Sequence, residues 1–358
     1  MEHLMNKTLD EIKALGEKSY AERAWFVFSK YLTDFTDAEI RYCVDNAYND
    51  KNFDSDNIAE IAHLFDGTYM LELWHGPTCA FKDMALQILP YLLTTSAKKI
   101  ELNKKIVILV ATSGDTGKAA LEGFKDVEGT KILVFYPNDG VSPMQKLQMT
   151  TQEGNNVGVC AIYGNFDDAQ TGVKSIFTNK EILDKFEENN LVFSSANSIN
   201  WGRLAPQIVY YVSAYCDMVN SGEVKFGDKI KLERFMIFSC ALAVAAYIGI
   251  GLFALPALSV ISCALCGLAV GMMWPGSLVV ASDRFPTGGV VIFAMMAAGG
   301  DFGASVAPQL VGMITDAVAA SGAAATLAQS WGLTAEQVGM KCGMLVGTLF
   351  PLAAIVVF

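Results

Sequence analysis

Residues 105–117 read KIVILVATSGDTG, and this stretch decides the fold prediction for the first part of the chain. Its first eight residues are almost continuously apolar, as expected of a strand that is buried on both faces of a sheet. The glycine-rich turn 112–117 follows directly and leads into a helical pattern. A strand, a tight turn and a helix in this order predict the start of a βαβ unit.

The same alternation continues along the chain. Two further apolar runs predict strands, and three helical patterns separate the runs. The strands are predicted at 131–136 and 191–194, and the helices at 118–124, 143–153 and 170–188. This order predicts an α/β fold with a largely parallel sheet.

Charge divides the chain into two unlike parts. The sequence has 26 basic and 37 acidic residues and a net charge of −11, but only five of each sign lie from Lys229 onward. Residues 235–282 contain no charged residue at all. The acidic first part argues against a nucleic-acid partner, because phosphates would be repelled. We expect the first part to be cytoplasmic, since residues 1–10 do not resemble a secretory signal.

Three loops of the first part carry reactive or anion-binding side chains. The loop 75–85, HGPTCAFKDMA, places Lys82 among apolar neighbours. Desolvation there would lower the pKa of the amine and allow it to form a Schiff base. From position alone, a surface lysine whose stem covers apolar residues is the alternative.

The other two loops each precede a helix. In 112–117, Gly114 and Gly117 allow a tight turn whose free N–H groups can face an anion, although an ordinary βα turn has the same pattern. In 197–203, NSINWGR, Arg203 can pair with a phosphate or carboxylate. Helix capping by an asparagine or serine beside a surface arginine is the alternative there.

Taken together, the motifs HGPTxAFKD, SGDTG and NSINxxRL closely resemble threonine synthase, a pyridoxal-phosphate (PLP) enzyme of the tryptophan-synthase-β fold type, fold-type II. The resemblance covers about residues 19–228 and includes the segments 142–146 and 164–170. It implies an enzyme that converts O-phosphohomoserine and water to threonine and phosphate. PLP would act as the electron sink of this reaction.

The resemblance also implies roles for single residues. Lys82 would be the catalytic lysine and would hold PLP as a Schiff base. Ser113, Gly114 and Asp115 would complete the cofactor site. Thr116, Asn197, Ser198 and Arg203 would bind O-phosphohomoserine. No residue is assigned to a metal site.

The sequence departs from the family pattern after 226–230. The family continues into a Pro-Thr-Gly-Asn-Phe-Gly-Asn loop that binds the PLP phosphate, and neither that loop nor the later residue at the pyridine nitrogen occurs here. The family's first segment, before about Ser19, also has no counterpart. We therefore interpret 1–228 as a truncated threonine-synthase-like domain and expect it not to form threonine.

Residues 235–358 read as an all-α segment of four transmembrane helices after a junction at 229–234. Each predicted span is long and apolar enough to cross a bilayer. The spans are expected at 235–254, 257–280, 288–318 and 342–358, with a small-residue loop at 319–340. The partner of this part would be the lipid bilayer of an inner or plasma membrane.

Asp301 lies within the third predicted span. An ionisable residue at this depth is a functional candidate, although it can also pair locally near its neighbouring glycines. The segments 284–289 and 297–312 resemble the last helices of major facilitator superfamily (MFS) transporters. The resemblance implies a transporter fragment as the alternative function.

No Gly-, Ser- or Pro-rich linker separates the two parts at 228–231. An incomplete PLP fold joined directly to an incomplete transporter fold indicates a chimera of two reading frames. A natural protein tethered to a membrane is the other interpretation.

Overall fold

The computed structural model describes residues 11–65, 67–198, 200–226, 232–271, 273–285 and 287–358. These residues form two compact units, one ending at Phe226 and one beginning at Leu232. The first half of the predicted junction, 229–231 of 229–234, lies outside the described residues. The N-terminal unit combines helices and strands, and the C-terminal unit is helical.

The N-terminal unit contains six described strands and the helices that connect them. In chain order its elements are α1 (Tyr20–Tyr31), α2 (Asp37–Ala47), β1 (Ile61–Phe65), β2 (Thr68–Leu71), α3 (Asp83–Leu86), α4 (Leu89–Lys99), β3 (Lys105–Ala111), α5 (Asp115–Phe124), β4 (Thr130–Pro137), α6 (Pro143–Thr150), β5 (Val157–Ile162), α7 (Phe166–Thr178), α8 (Lys180–Glu188), β6 (Leu191–Ser195) and α9 (Trp201–Asn220).

Four of these strands form a parallel sheet in the order β5-β4-β3-β6. The three strands predicted from apolar runs are β3, β4 and β6, so the parallel α/β prediction is confirmed for this unit. β5 was not predicted, because Gly158 and Ala161 weaken the apolar pattern of an edge strand. The antiparallel hairpin of β1 and β2 was not predicted either.

Both faces of the central strand β3 are covered. Ile106, Ile108 and Val110 belong to a core that includes Leu121 of α5. Val107 and Leu109 point to the opposite core, which includes Val173 of α7. Successive side chains alternate between faces, so a strand covered on both sides is apolar throughout. This arrangement explains the sequence at 105–111.

Two helical regions of this unit are interrupted in the structure. The helix predicted at 170–188 ends and restarts at Asn179, whose side chain accepts a hydrogen bond from the Ile182 amide. The apolar pattern after Lys82 forms α3 and α4, with Pro90 in the first turn of α4. Proline favours the start of a helix because its nitrogen cannot donate to the preceding turn.

The elements of the C-terminal unit are α10 (Leu232–Leu252), α11 (Pro256–Gly271), α12 (Met273–Arg284), α13 (Gly289–Ala319), α14 (Gly322–Trp331), α15 (Ala335–Gly347) and α16 (Leu349–Val357). Among the residues that the structure describes, four stretches of helix are long and apolar enough to cross a bilayer: Leu232–Leu252, Pro256–Arg284, Gly289–Ala319 and Ala335–Val357. The predicted loop 319–340 is wrong in detail, since α14 and the start of α15 lie within it. Residues 274–276, Trp-Pro-Gly, are helical and belong to α12.

Small residues bring α13 and α15 together. A Cβ atom on Gly343 would lie 3.0 Å from the Val311 carbonyl oxygen, and one on Gly339 would clash with the Thr315 carbonyl oxygen. The GxxxG motif at 343–347 therefore takes part in a helix contact. The motif at 267–271 meets no described neighbour within 4 Å.

Two basic residues bind helix ends in this unit. Lys341 donates to the carbonyl oxygens of Ile250 and Phe253, at 2.8 Å and 2.6 Å, where α10 ends. Arg284 donates to the Val357 carbonyl oxygen at 3.0 Å and pairs with Glu233 at 3.3 Å. Cations stabilise helix C-termini because the last carbonyl groups have no partner within the helix.

Candidate functional site

A cleft of about 490 Å³ opens beside the carboxyl ends of β3 and β6. Six of the eight predicted site residues of the N-terminal unit line it, and they come from three separate loops: Lys82, Ser113, Thr116, Asn197, Ser198 and Arg203. Ligands of parallel α/β sheets bind outside the carboxyl ends of the strands. The remaining two are neighbours in the turn 112–117: Asp115 lies beside Lys82, and Gly114 directly precedes Asp115.

Lys82 is held within the cleft. Its side chain is 18% exposed, and its Nζ atom lies 3.8 Å from Asp115 Oδ2 and 4.5 Å from the centroid of the Phe81 ring. Burial lowers the pKa of Lys82; Asp115 opposes this effect, while Arg203 and Lys118 add to it. The side chain is therefore less exposed than the alternative of a surface lysine implies. A larger fraction of the amine is neutral than in water, as nucleophilic attack requires.

The turn 112–117 is built around a buried hydroxyl group. Thr112 Oγ1 accepts hydrogen bonds from the amides of Gly114 and Gly117, at 2.9 Å and 3.0 Å. Gly114 has φ 145°, and a Cβ atom there would clash with Gln145. The side-chain amide of Gln145, in α6, donates from Nε2 to Asp115 Oδ1 at 2.7 Å. The turn and α6 together orient the carboxylate that faces Lys82.

The third loop combines the two interpretations that the sequence left open. Asn200 caps α9 by accepting from the Gly202 amide at 2.9 Å, as the capping alternative predicts. Arg203, however, is buried rather than on the surface, and it donates to the Ala196 carbonyl oxygen at 2.7 Å. Its burial lowers its pKa, although a guanidinium stays protonated in proteins. Asn197 is half-buried and Ser198 is exposed at the cleft.

The charges around the cleft favour an anion. Lys82 and Arg203 line it, and Asp115 lies beside Lys82 with its Oδ2 atom toward the amine and its Oδ1 atom accepting from the side-chain amide of Gln145. Two cations opposite one carboxylate leave a positive surplus that a carboxylate or phosphate can neutralise. The donor set therefore fits the aldehyde of PLP at Lys82 and an anionic substrate beside it.

Sequence reasoning missed two sets of residues near this cleft. Lys118 and Asp83 are buried and both bind Thr78, in the loop that carries Lys82. Glu60, Glu72 and His75 bring ligand-type atoms within 4.8 Å of one another at the start of that loop. The sequence does not indicate whether a lysine or aspartate near a glycine turn is buried. Glu60 and Glu72 are separated in sequence by the hairpin of β1 and β2, so they form no local motif.

Asp301, the candidate of the C-terminal unit, is an exposed residue of α13. Its carbonyl oxygen accepts from the Ser305 hydroxyl at 2.9 Å, which is an ordinary contact within a helix. No basic side chain is recorded near the Asp301 carboxylate among the described residues. The structure thus gives its position and assigns it no role.

Comparison with known proteins relates the N-terminal part to one enzyme family. No protein-family model matches the chain. Threonine synthase-like 1 of Homo sapiens is 38% identical over 228 residues, which are 62% of this chain and 30% of that protein. Threonine synthase of Pseudomonas aeruginosa is 40% identical over 214 residues, which are 60% of this chain and 44% of that protein. The chain thus spans less than half the length of these relatives.

Solved structures give the same relationship. The crystal structure of PLP-bound threonine synthase from Brucella melitensis is 38% identical, with a TM-score of 0.53, and covers 58% of this chain and 43% of that one. Yeast threonine synthase is 32% identical, with a TM-score of 0.51 and coverages of 57% and 41%. About 60% of this chain, its N-terminal part, is therefore similar in sequence and in fold to threonine synthases.

Proposed function

We propose that the N-terminal unit is a threonine-synthase-type site that attaches PLP at Lys82 and does not complete threonine formation. The observation that carries the proposal is that Lys82, with Asp115 beside it, and Arg203 line one cleft, and 58% of the chain aligns at 38% identity with a PLP-bound threonine synthase. When bound, PLP supplies an electron sink for bond cleavage at the neighbouring carbons of an amino acid.

The side chains of the cleft would divide the remaining work. Lys82, with its lowered pKa, would hold the aldehyde group of PLP and would accept or return a proton at its Nζ atom. The Asp115 carboxylate lies 3.8 Å from the amine and would stabilise its positive charge when it is protonated. Arg203, with Asn197, Ser198 and Thr116, would bind the phosphate of O-phosphohomoserine.

The expected loss of turnover follows from the missing phosphate loop. The family's Pro-Thr-Gly-Asn-Phe-Gly-Asn sequence does not occur after 226–230. Without those amide donors the PLP phosphate loses its anchor, so PLP binds weakly and its ring is not held in register with the substrate. Misplacement by about 1 Å can already lower a catalytic rate about a hundredfold.

Two measurements on the full chain in detergent test this proposal. Borohydride reduction in excess PLP should attach a pyridoxyl group to Lys82, detected by mass spectrometry and absent in Lys82→Ala. The same protein, freed of excess PLP, should release no phosphate from O-phosphohomoserine. Labelling that is unchanged in Lys82→Ala would refute the attachment, and phosphate release would refute the predicted inactivity.

For residues 235–358, we propose integration into a membrane. Four helical stretches of sufficient length and apolar composition support this function, and the exposed apolar side chains of α13 would face lipid. The N-terminal unit would then be a cytoplasmic domain tethered at 229–234. The resemblance to MFS transporters and the chimeric origin of the chain stay predictions. The mass of the chain made in its native cell would test the latter.

A further inference from the structure

Lys118 is a buried cation beside the cleft, and neither the sequence motifs nor the proposed chemistry assigns it a role. It lies one residue after the glycine-rich turn, in the first half of α5, and is 7% exposed. Its Nζ atom donates to the Thr78 carbonyl oxygen at 2.6 Å. A buried ammonium group without a hydrogen-bond partner destabilises the folded state. The bond to Thr78 therefore favours the conformation of the loop that contains Thr78.

Thr78 is held at all of its polar atoms. Its amide and its hydroxyl donate to the two oxygens of Asp83, at 2.8 Å and 2.7 Å, and its carbonyl accepts from Lys118. Asp83 is fully buried and follows Lys82 directly. Burial raises the pKa of Asp83, whereas the bonds from Thr78 and the charge of Lys118 oppose the increase.

The same contacts join the two loops of the cleft. Thr78 and Asp83 belong to the loop that carries Lys82, and Lys118 belongs to the helix that begins with Asp115. A Cβ atom on Gly76 would lie 2.5 Å from the Asp83 Cβ atom, so the loop is also closely packed. The hydrogen bond from Lys118 to Thr78 holds this loop against α5. The separation of 3.8 Å between Lys82 Nζ and Asp115 Oδ2 therefore depends on that bond.

We propose that Lys118 is a positioning residue, whose buried ammonium fastens the loop of Lys82 to the helix of Asp115. It acts on Lys82 through the loop and through its charge, and it needs no contact with cofactor or substrate. The inference deepens the proposed function, since the role of Lys82 rests on that function. The geometry of the ligand-free chain is sufficient to test it.

The test measures the reactivity of Lys82 without PLP. The full chain in detergent is acetylated with trace acetic anhydride at several pH values, and the modified fraction of Lys82 is read by mass spectrometry. In Lys118→Gln, loss of the neighbouring positive charge and release of the loop should raise the pKa of Lys82. A rise of one unit lowers its labelling near neutral pH about tenfold.

Two further variants separate charge from packing. Lys118→Met is also neutral and keeps the aliphatic part of the side chain, so it replaces Lys118→Gln if that variant does not fold. It should show the same loss of Lys82 labelling. Lys118→Arg keeps the charge and the donor and should retain the original pH profile. Lys125→Gln, at an exposed lysine just after the same helix, is the matched control and should change nothing.

Other outcomes overturn the proposal. A folded neutral variant with an unchanged Lys82 profile, even with lower thermal stability, gives Lys118 a purely structural role. Misfolding of both neutral variants, with Lys118→Arg folded and unchanged, gives the same conclusion. A neutral variant that loses PLP labelling and has a shifted Lys82 profile supports the inference. If the wild-type chain is not labelled by PLP but the neutral variants still shift the Lys82 profile, only the proposed function is contradicted.

Discussion

At the scale of single residues, His75 is the clearest case of a side chain whose charge is set by its neighbours. Its Nδ1 atom lies 2.7 Å from Asp54 Oδ1 and its Nε2 atom 2.9 Å from Glu72 Oε2. Burial by itself lowers the pKa of His75, but the hydrogen bonds to Glu72 and Asp54, with the nearby charge of Glu60, outweigh it and raise the pKa. Both ring nitrogens can donate only in the protonated form.

This arrangement predicts a pH dependence of stability. Since the folded-state pKa of His75 is raised, its contribution is fully present below the unfolded value of about 6.5 and is lost as the pH rises through the folded-state pKa. Urea titrations of the N-terminal unit of the full chain should show this slope, equivalent to at most one proton. His75→Gln should abolish the slope, whereas His63→Gln, at a ring packed on Tyr69, should preserve it. A slope that survives in His75→Gln would contradict the prediction.

At the scale of elements, α5 shows that packing can reverse a helix propensity. Gly123 lies in α5, where a Cβ atom would clash with the Leu86 carbonyl oxygen of α3, whereas Gly172 in α7 meets no described atom within 4 Å. Alanine favours a helix over glycine by about 1 kcal/mol, and overpacking a close contact costs about 1–3 kcal/mol. The two glycines should therefore respond oppositely to alanine.

We predict that Gly123→Ala lowers the free energy of unfolding by up to about 2 kcal/mol, because the cost of overpacking exceeds the gain in helix propensity. Gly172→Ala is the matched control and should raise it by up to about 1 kcal/mol. Urea unfolding of the full chain in detergent, followed by circular dichroism, measures both changes. A stabilising effect of Gly123→Ala would show that α3 and α5 are not in close contact.

At the scale of the whole molecule, the chain joins an acidic α/β unit to a nearly uncharged helical unit. This division predicts that the full chain stays with membranes after a carbonate wash, because the apolar helices would be buried in lipid. Cys79 and Cys160 are exposed in the N-terminal unit and provide natural labels. A membrane-impermeant maleimide should modify them from the cytoplasmic side.

The serine variants Cys79→Ser and Cys160→Ser are the controls for the labelled positions. Release of the chain by carbonate would contradict membrane integration. Labelling of these cysteines only from the opposite side would contradict the predicted orientation.

Elements with a local pattern could be predicted from the amino-acid sequence. Residues 105–111 are apolar throughout because both faces of β3 are covered, and the three motif loops are recognisable because turns and anion sites need particular residues at fixed spacing. The uncharged run 235–282 likewise indicated long apolar helices.

The environment of each side chain, in contrast, could be read only from the folded chain. It assigned Lys82 and Arg203 to one cleft rather than the surface, buried Lys118 against Thr78, and added β5 at a sheet edge where an irregular pattern had concealed it. Burial and pairing depend on residues distant in the chain, and the letter of a lysine is the same whether its ammonium faces water or a carbonyl oxygen. Local pattern therefore determined the elements, and long-range packing determined the chemistry of their side chains.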